Sequence, residues 1–493
     1  MTVNYFLKCP VCGSITRMRS PAGYMFSTPV RIHCGNCSTL LTGEFISDNE
    51  KIKAYYEPGN CEEVEPQKYQ YYGEASGEMI CNKLEVNTSK DFNPMLPFKP
   101  SPVFAFMTSM DLDVRDDFID YACYTHDLSK KFDSEQIKYN LFLNNNFELI
   151  KKNYKSEAQK AGYKLDSDIE VFRFIYYSLF FDCGGLFKKK EIHNMTIQIN
   201  DHIRRLNFTK LQDFITELTS INRIEIAQRK LFEIMFAYIK ISQNLVPAIG
   251  VNFYNDPTSI EKDTLGISTC TFEDIKTFYQ DVFETLAEFS DIVIGLDNIE
   301  NRGSYDSFKT KLDMKKFREQ RKGNKINFLD CNEFFSRIFH LPSDSNELRN
   351  AIGHNDFEYN GVKQELKYIV QNSGQVKNTY LLDIAIECVN LTRSTYILIM
   401  FLYQIKRYVN LKCNVSVPLH PLLYSRAKNQ SHCPCGSGKK YNRCCKSIDN
   451  KFNYKIIGYP HKANTVMEIN NTSKIPFSDK NYFEKLQHNF NIK

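Results

Sequence analysis

The hydrophobic pattern of the second half of the chain predicts a bundle of four helices. Residues 272–300 repeat apolar positions three and four apart, which places one apolar stripe on a helix. A second apolar stretch covers residues 328–339, a third helix is expected after Pro342, and a long apolar segment covers residues 380–409. Ser343, Asp344 or Ser345 could cap the third helix. The stripe of the first helix consists of Ile275, Tyr279, Val282, Leu286, Phe289 and Val293.

One short β element interrupts this bundle, and the preceding residues divide into two regions. Tyr359-Asn360-Gly361, followed by apolar residues at every second position, predicts a small hairpin before the last helix. Residues 106–262 are apolar at helical spacing throughout and predict a helical region with no motif of its own. Residues 49–105 alternate Tyr and Glu and end in a Pro cluster, which indicates a small β-rich segment and a linker.

Four cysteines near the N-terminus have the spacing of a zinc ribbon. Cys9 and Cys12 form one Cys-x2-Cys pair, and Cys34 and Cys37 form a second. Four thiolates from two tight turns suit a tetrahedral zinc ion, which supplies folding free energy that so small a module lacks. His33 is redundant beside four thiols. Such ribbons bind nucleic acid or protein, or brace a terminus.

The basic residues of this ribbon leave two interpretations open. Arg17, Arg19 and Arg31 permit a surface that faces RNA. A solvated basic face is the ordinary alternative.

A second cysteine cluster lies near the C-terminus. Cys433, Cys435, Cys444 and Cys445 fall within thirteen residues, and two glycines between them allow sharp turns around one zinc ion. A disulfide or free thiols are the alternatives, although adjacent cysteines would form a strained disulfide. The segment resembles the SEC-C motif, found at the tail of the bacterial preprotein translocase motor and in unrelated bacterial proteins. This resemblance implies zinc and says little about function.

The cysteine usage indicates the cellular compartment, and the net charge gives only a weak indication of nucleic-acid binding. Eight of the sixteen cysteines are scattered without ligand spacing, and no signal peptide is apparent, so we expect a cytoplasmic protein. The longest apolar run, residues 396–403, is far shorter than a membrane span. The net charge of +5 is mild for this length. Basic clusters at residues 315–318 and 321–325 could gather RNA phosphates, or form a solvated loop.

A short motif in the third bundle helix carries the candidate chemistry. Asn350 and His354 share one helix face, and the long side chain of Arg349 can reach the same face. Cleavage of RNA by its own 2′-hydroxyl needs proton transfer and positive charge at phosphorus. His354 fits general acid or base catalysis, and Arg349 fits charge stabilisation. The alternative is that these are ordinary polar residues of a bundle.

Together, the bundle, the hairpin and Arg349-Asn350-Ala351-Ile352-Gly353-His354 resemble the HEPN superfamily over residues 265–412. That resemblance implies Arg349, Asn350 and His354 as catalytic residues and a homodimer whose two motifs line one cleft. It also implies a metal-independent endoribonuclease of a toxin or anti-phage defence system, acting on tRNA, rRNA or mRNA. No metal is then expected in catalysis.

The expected architecture is mainly α: a HEPN-like helical bundle, a preceding helical region, an N-terminal zinc ribbon and a C-terminal zinc knuckle. Two structural Zn²⁺ sites are expected. A ribosome, a protein trigger or an antitoxin is a possible partner, and no membrane is expected. The alternative function is a non-catalytic, zinc-containing adaptor that binds RNA or protein. The expected domains are a zinc ribbon at 1–48, a β-rich segment and linker at 49–105, a helical region at 106–262, a HEPN-like bundle at 265–412, a SEC-C motif at 425–450 and a polar tail at 451–493.

Overall fold

The structure of the 493-residue chain is a computed structural model. The structure describes these residues: 2–48, 53–89, 108–161, 163, 165, 168–187, 195, 198–199, 202–203, 205–328, 338–371, 373–412, 428–430 and 439–443.

The chain divides into two compact units. The first unit comprises Met1–Ser129, Ala237–Phe283 and Ser343–Leu391. The second comprises Lys130–Phe236, Glu284–Pro342 and Thr392–Lys493.

The N-terminal part of the first unit is built from β-strands. Their alternating apolar residues pack into a core in which the Tyr5 and Tyr56 rings stack with centroids 4.5 Å apart. The strands are β1 (Thr2–Lys8), β2 (Ile15–Pro21), β3 (Ser27–His33), β4 (Leu40–Asp48), β5 (Lys53–Pro58), β6 (Glu62–Val64), β7 (Tyr71–Glu74), β8 (Cys81–Asn82) and β9 (Glu85–Val86).

These strands form more than a ribbon. One sheet has five strands in the order β6-β1-β2-β7-β9, and the pairing of β2 with β7 is parallel. A second sheet has the order β3-β4-β5 and is antiparallel. The short strand β10 (Leu265–Gly266) returns from far along the chain to pair with β8.

The predicted hairpin is present and is extended by one strand. Strands β11 (Phe357–Asn360), β12 (Glu365–Ile369) and β13 (Val376–Tyr380) form an antiparallel sheet in that order. Leu366 and Tyr368 point to its buried face, as the alternation predicted.

The helices include most of those predicted for the bundle. The first, third and last bundle helices are present, whereas most of the second, predicted at 328–339, lies outside the described residues. The helices are α1 (Leu112–Leu143), α2 (Phe147–Asn153), α3 (Lys155–Lys160), α4 (Asp168–Gly184), α5 (Phe208–Ser220), α6 (Arg223–Gly250), α7 (Phe272–Arg302), α8 (Met314–Glu319), α9 (Lys322–Ile326), α10 (Ser343–His354) and α11 (Leu381–Lys412).

The expectation of a mainly α protein was wrong. The described residues contain thirteen strands in four sheets, including the five-stranded sheet at the N-terminus, so the fold is mixed α/β. The expectation separated residues 1–48, as a zinc ribbon, from residues 49–105, as a small β-rich segment and a linker. Instead, their strands pair across that boundary, as β1 pairs with β6 and β2 with β7, and they share a core.

The second unit packs around aromatic rings and a buried ion-pair network. Phe142, Tyr176 and Phe232 contact one another with centroids 6.1 to 6.4 Å apart. The buried carboxylate of Asp291 accepts hydrogen bonds from Arg223 and Arg318. A buried charge requires such pairing, so this network is a structural feature of the unit.

Two helices are long and apolar enough to cross a membrane by length and composition. They cover Arg223–Phe253 and Leu381–Lys406, and 72% and 78% of their most apolar stretches are buried inside the protein. Burial of this extent is what core helices show, so these two helices are weak evidence for a membrane span.

Candidate functional site

The first candidate site is the cysteine cluster formed by Cys9, Cys12, Cys34 and Cys37. Two similar turns present these residues, one between β1 and β2 and the other between β3 and β4. In the first turn, the Cys9 N–H donates to Ser14 O at 2.9 Å. The N–H of Gly13 donates back to Cys9 O, and Gly13 has a φ of +71° that favours glycine.

The second turn repeats this arrangement with Ser38 at the position that corresponds to Gly13. The N–H of Cys34 donates to Thr39 O at 2.8 Å, and the N–H of Ser38 donates back to Cys34 O at 2.9 Å. Ser38 takes the left-handed conformation, with φ of +57°. Main-chain hydrogen bonds in the two turns therefore direct the four sulfurs toward one another.

The four sulfur atoms lie at distances that suit one metal ion. All four are within 4.8 Å of one another, and the Cys9–Cys37 and Cys12–Cys34 Sγ pairs are each 3.6 Å apart. Sulfurs at about 2.3 Å from a tetrahedral zinc are roughly 3.8 Å from each other. The structure thus confirms that the N-terminal cysteines lie together in a group compatible with a zinc site.

Hydrogen bonds and burial act in opposite directions on these thiols. A hydrogen bond with Ser14 lowers the pKa of Cys12 to about 5, and one with Thr39 lowers the pKa of Cys37. Burial raises the pKa of Cys34 to about 12. Four thiolates this close repel one another, and a divalent cation is the usual means of stabilising them.

The second cysteine cluster cannot be placed. Cys433, Cys435, Cys444 and Cys445 lie outside the described residues, so a second zinc site stays a prediction.

The basic residues of the N-terminal strands contact the protein itself, and Arg19 does so through a hydrogen bond with the side chain of Tyr72. Arg17 is buried, donates to Asn4 Oδ1 at 3.1 Å and lies over the ring of Tyr69. Arg31 donates to two main-chain carbonyls, Val30 O and Gly43 O, at 3.0 Å each. These contacts account for all three arginines without RNA.

The second candidate site lies on α10, which neighbouring elements hold in place. The Tyr279 hydroxyl of α7 donates to Ser345 O at 2.8 Å, and the Ser345 hydroxyl hydrogen-bonds to Glu387 of α11. On the other side, Lys377 of β13 pairs with Glu347 at 2.5 Å. Three contacts therefore fix the first two turns of α10.

The motif residues occupy the last two turns of α10. Arg349 Nη1 donates to Asn350 Oδ1 at 2.6 Å, and its guanidinium lies 5.9 Å from the centroid of the Phe283 ring. Partial burial lowers the pKa of Arg349, although a guanidinium still keeps its proton. His354 is exposed, and in the part of the chain that the structure describes no hydrogen bond joins it to Arg349 or Asn350.

His354 is the last residue of the helix and precedes a defined turn. The Asp356 N–H donates to Ala351 O at 2.8 Å, and the Asn355 N–H donates to Ile352 O at 3.2 Å. Asn355 has a φ of +61°. This is a Schellman motif, which ends the helix and leaves the His354 side chain at the rim of its last turn.

Gly353, beside His354, has no packing requirement of its own. A Cβ at this position would lie 3.5 Å from Gln280 Nε2, an ordinary contact, and Gly353 is exposed. The protein therefore does not require glycine here for steric reasons.

The basic clusters at residues 315–318 and 321–325 include residues with structural partners in the second unit. Arg318 Nη2 donates to Glu217 Oε2 at 2.9 Å. Lys322 pairs with Glu284, and Lys325 is buried. Two of these side chains are paired and the third is buried within the unit, which reduces the basic surface that the clusters offer to RNA.

Sequence reasoning missed two residues that shape the motif. Phe283 belongs to α7 and contacts Arg349, and Lys377 belongs to a strand that the hairpin prediction did not include. Phe283 directly follows Val282 of the apolar stripe, and this position in the sequence could have indicated that Phe283 is also a buried residue of α7.

Comparisons with models of protein families, with curated proteins and with solved structures find no match to this chain.

Proposed function

We propose that this protein is a metal-independent endoribonuclease of HEPN type, acting on cellular RNA as a toxin or anti-phage defence effector. The observation that carries the proposal is the end of α10, where an arginine–asparagine pair lies one turn before an exposed histidine. The SEC-C segment and the cysteine cluster would each bind one structural zinc ion.

The proposed reaction assigns each motif residue a role. The RNA 2′-hydroxyl attacks the adjacent phosphorus while a base removes its proton, and an acid protonates the departing 5′-oxygen. His354 performs one of these proton transfers. Arg349 stabilises the negative charge on phosphorus, because a guanidinium binds two phosphate oxygens at once. Asn350 holds Arg349 through its Oδ1 atom.

The arrangement of α10 supports this assignment in two respects. The helix is fixed at its start by Tyr279, Glu387 and Lys377, so that the motif sits on a rigid element. His354 is exposed at the helix end, where a chain as large as RNA can reach it.

One histidine cannot carry both proton transfers at the same time. A homodimer, which the HEPN resemblance implies, would bring a second copy of His354 to the site. We propose this dimer together with the activity.

The experiment compares RNA cleavage by wild type and two variants purified in the same way. Each protein is incubated with total RNA and tRNA in EDTA, which removes Mg²⁺. The incubation is brief, so that little structural zinc is lost. We expect wild type and Lys230→Ala to cleave, since Lys230 is exposed and, among the described residues, pairs with Glu233 one turn away. His354→Ala should fail to cleave. Equal cleavage by all three proteins would point to a contaminating nuclease and against the proposal.

The cysteine cluster favours a second candidate function. Four preorganised sulfurs support a non-catalytic adaptor whose zinc module binds RNA or a protein. This candidate predicts binding that survives His354→Ala, without any cleavage.

A further inference from the structure

His33 lies beside Cys34 but does not belong to the group of four sulfurs. Its ring is held by the second turn of the cysteine cluster, because His33 Nδ1–H donates to Ser38 O at 2.9 Å. A carbonyl oxygen can only accept, so Nδ1 carries the proton. The direction of the His33 ring therefore depends on the same turn that presents Cys34 and Cys37.

The His33 ring packs against β11 and the residue that follows it. A Cβ on Gly361 would lie 2.3 Å from Cδ2 of this ring, and Gly361 does not have a positive φ. The reason for glycine at this position is therefore contact with His33 rather than backbone conformation. The ring also meets Tyr359 edge to face, with centroids 6.2 Å apart. The second turn of the cysteine cluster thus contacts both β11 and its end through one side chain.

Strand β11 begins three residues after His354, and hydrogen bonds fix the residues between them. The Asp356 N–H donates to Ala351 O in the last two turns of α10, and the Ile369 N–H of β12 donates to Asp356 O at 3.1 Å. Because Asp356 bonds to both the helix and the sheet, a displacement of β11 is transmitted to the end of α10.

The same strand packs against the start of α7. The rings of Phe357 and Tyr359 each lie 5.3 Å from the ring of Phe272, the first residue of α7, measured between centroids. Further along α7, Phe283 contacts Arg349. Arg349 is therefore held by a helix of the core, whereas His354 lies at the end that continues into β11.

We propose that the cysteine cluster positions His354. With zinc bound, the second turn holds the His33 ring against Gly361 and Tyr359, and β11 carries this position to the end of α10. His33, Gly361 and Tyr359 are positioning residues, because they act on His354 through the strand. Loss of zinc releases the contact. The effect on the end of α10 stands without catalysis, whereas any effect on RNA cleavage rests on the proposed function.

Amide hydrogen exchange on the full-length protein tests this link. Exchange is followed at Asn355 and Asp356, whose N–H groups bond to α10. Removal of zinc from wild type with a chelator should accelerate it. His33→Ala keeps all four sulfurs, so zinc should stay bound, yet exchange should be about three- to tenfold faster because ring contacts are lost.

Val11→Ala is the matched control for His33→Ala. Val11 stands beside Cys12 as His33 stands beside Cys34, and its side chain is 69% exposed. Its zinc content and its exchange at Asn355 should equal those of wild type.

Gly361→Ala approaches the same contact from the other side. The added methyl group should collide with the His33 ring, displace β11 and also accelerate exchange. In the double variant with His33→Ala, the shortened side chain at position 33 leaves room for this methyl group. Exchange should then be no faster than in His33→Ala alone, whereas independent effects would multiply.

RNA cleavage gives a second measurement. His33→Ala should lower kcat about 10- to 100-fold, because a misplaced proton-transfer group slows the chemical step. KM should keep its wild-type value, since Phe283 still holds Arg349. A wild-type protein that cleaves no RNA would refute the proposed function, and the exchange measurements would still decide this inference.

Three results would overturn the proposal. One is unchanged exchange at Asn355 and Asp356 after zinc removal. Another is equal exchange in His33→Ala and Val11→Ala, with zinc bound in both. The third is a double variant whose acceleration is the product of the two single effects.

Discussion

The cysteine cluster and the motif at the end of α10 were both recognised from short spacings, yet the structure assembles them to different degrees. The four sulfurs of the cluster converge within 4.8 Å of one another. At the α10 motif, Arg349 and Asn350 are in contact, whereas within the described residues no hydrogen bond joins the exposed His354 to either of them.

This difference reflects what each site needs to be complete. A zinc site is closed by ligands from the chain itself, and each Cys-x2-Cys turn is fixed by local hydrogen bonds. An RNA-cleaving site is completed by its substrate and, in this proposal, by a second protomer. Its residues in one protomer therefore need not touch.

The largest effect is expected from loss of a sulfur in the cysteine cluster. Cys34→Ser should release one zinc equivalent per chain and unfold the surrounding turns, because zinc supplies on the order of 10 kcal/mol of folding free energy in small zinc modules. Metal analysis and thermal unfolding measure both results.

Cys61→Ser is the matched control for this change. Cys61 packs beside the cluster but lies outside the four-sulfur group, and it contacts Tyr56 and Thr42 O. Its zinc content should stay at the wild-type value. An equal loss of zinc in both variants would contradict a four-cysteine site.

The next effect concerns His354. His354→Ala should lower the rate of RNA cleavage about 10²- to 10⁴-fold, which is the usual contribution of a general acid or base. The melting temperature should not change, since the side chain is exposed. A variant that keeps both full activity and its fold would remove His354 from the mechanism.

A smaller loss of activity is expected when lysine replaces Arg349, because lysine keeps the positive charge but lacks the planar guanidinium group. Arg349→Lys should lower kcat by about 10- to 100-fold, because a lysine cannot bind two phosphate oxygens in one plane. Steady-state kinetics separate kcat from KM. A change in KM alone would indicate that Arg349 only binds RNA.

The smallest expected effect is that of Gly353→Ala, which should change helix stability and RNA cleavage in opposite directions. Gly353→Ala should stabilise the helix by roughly 0.5 to 1 kcal/mol, because Ala favours a helix and its Cβ meets no clash. We expect cleavage to fall nevertheless, since RNA must approach closely beside His354. Thermal unfolding and cleavage assays on one preparation test both parts. Unchanged cleavage would make Gly353 an ordinary surface residue.

Local patterns in the sequence predicted the elements around both sites. The zinc spacing, the apolar stripe of α7, the hairpin at β11-β12 and the helix α11 all depend on residues close in the chain. The four N-terminal cysteines were confirmed as a group by the positions of their sulfurs.

The long-range pairings could not be obtained in this way. The parallel pairing of β2 with β7 and the return of β10 to β8 join segments whose local pattern shows only short strands. The pairing of β2 with β7 joins the expected ribbon and the expected small β-rich segment into a sheet with a shared core, which is why the predicted fold class was wrong. The contact of Arg349 with Phe283 is also a tertiary feature, which residues 349–354 alone do not reveal.

The most direct test of the proposed function is the chemistry of the RNA ends left by the protein in EDTA. The account predicts fragments with a 2′,3′-cyclic phosphate and a 5′-hydroxyl, produced by wild type and not by His354→Ala. Fragments with a 5′-phosphate, or cleavage that stops as soon as Mg²⁺ is removed while the zinc remains bound, would contradict it.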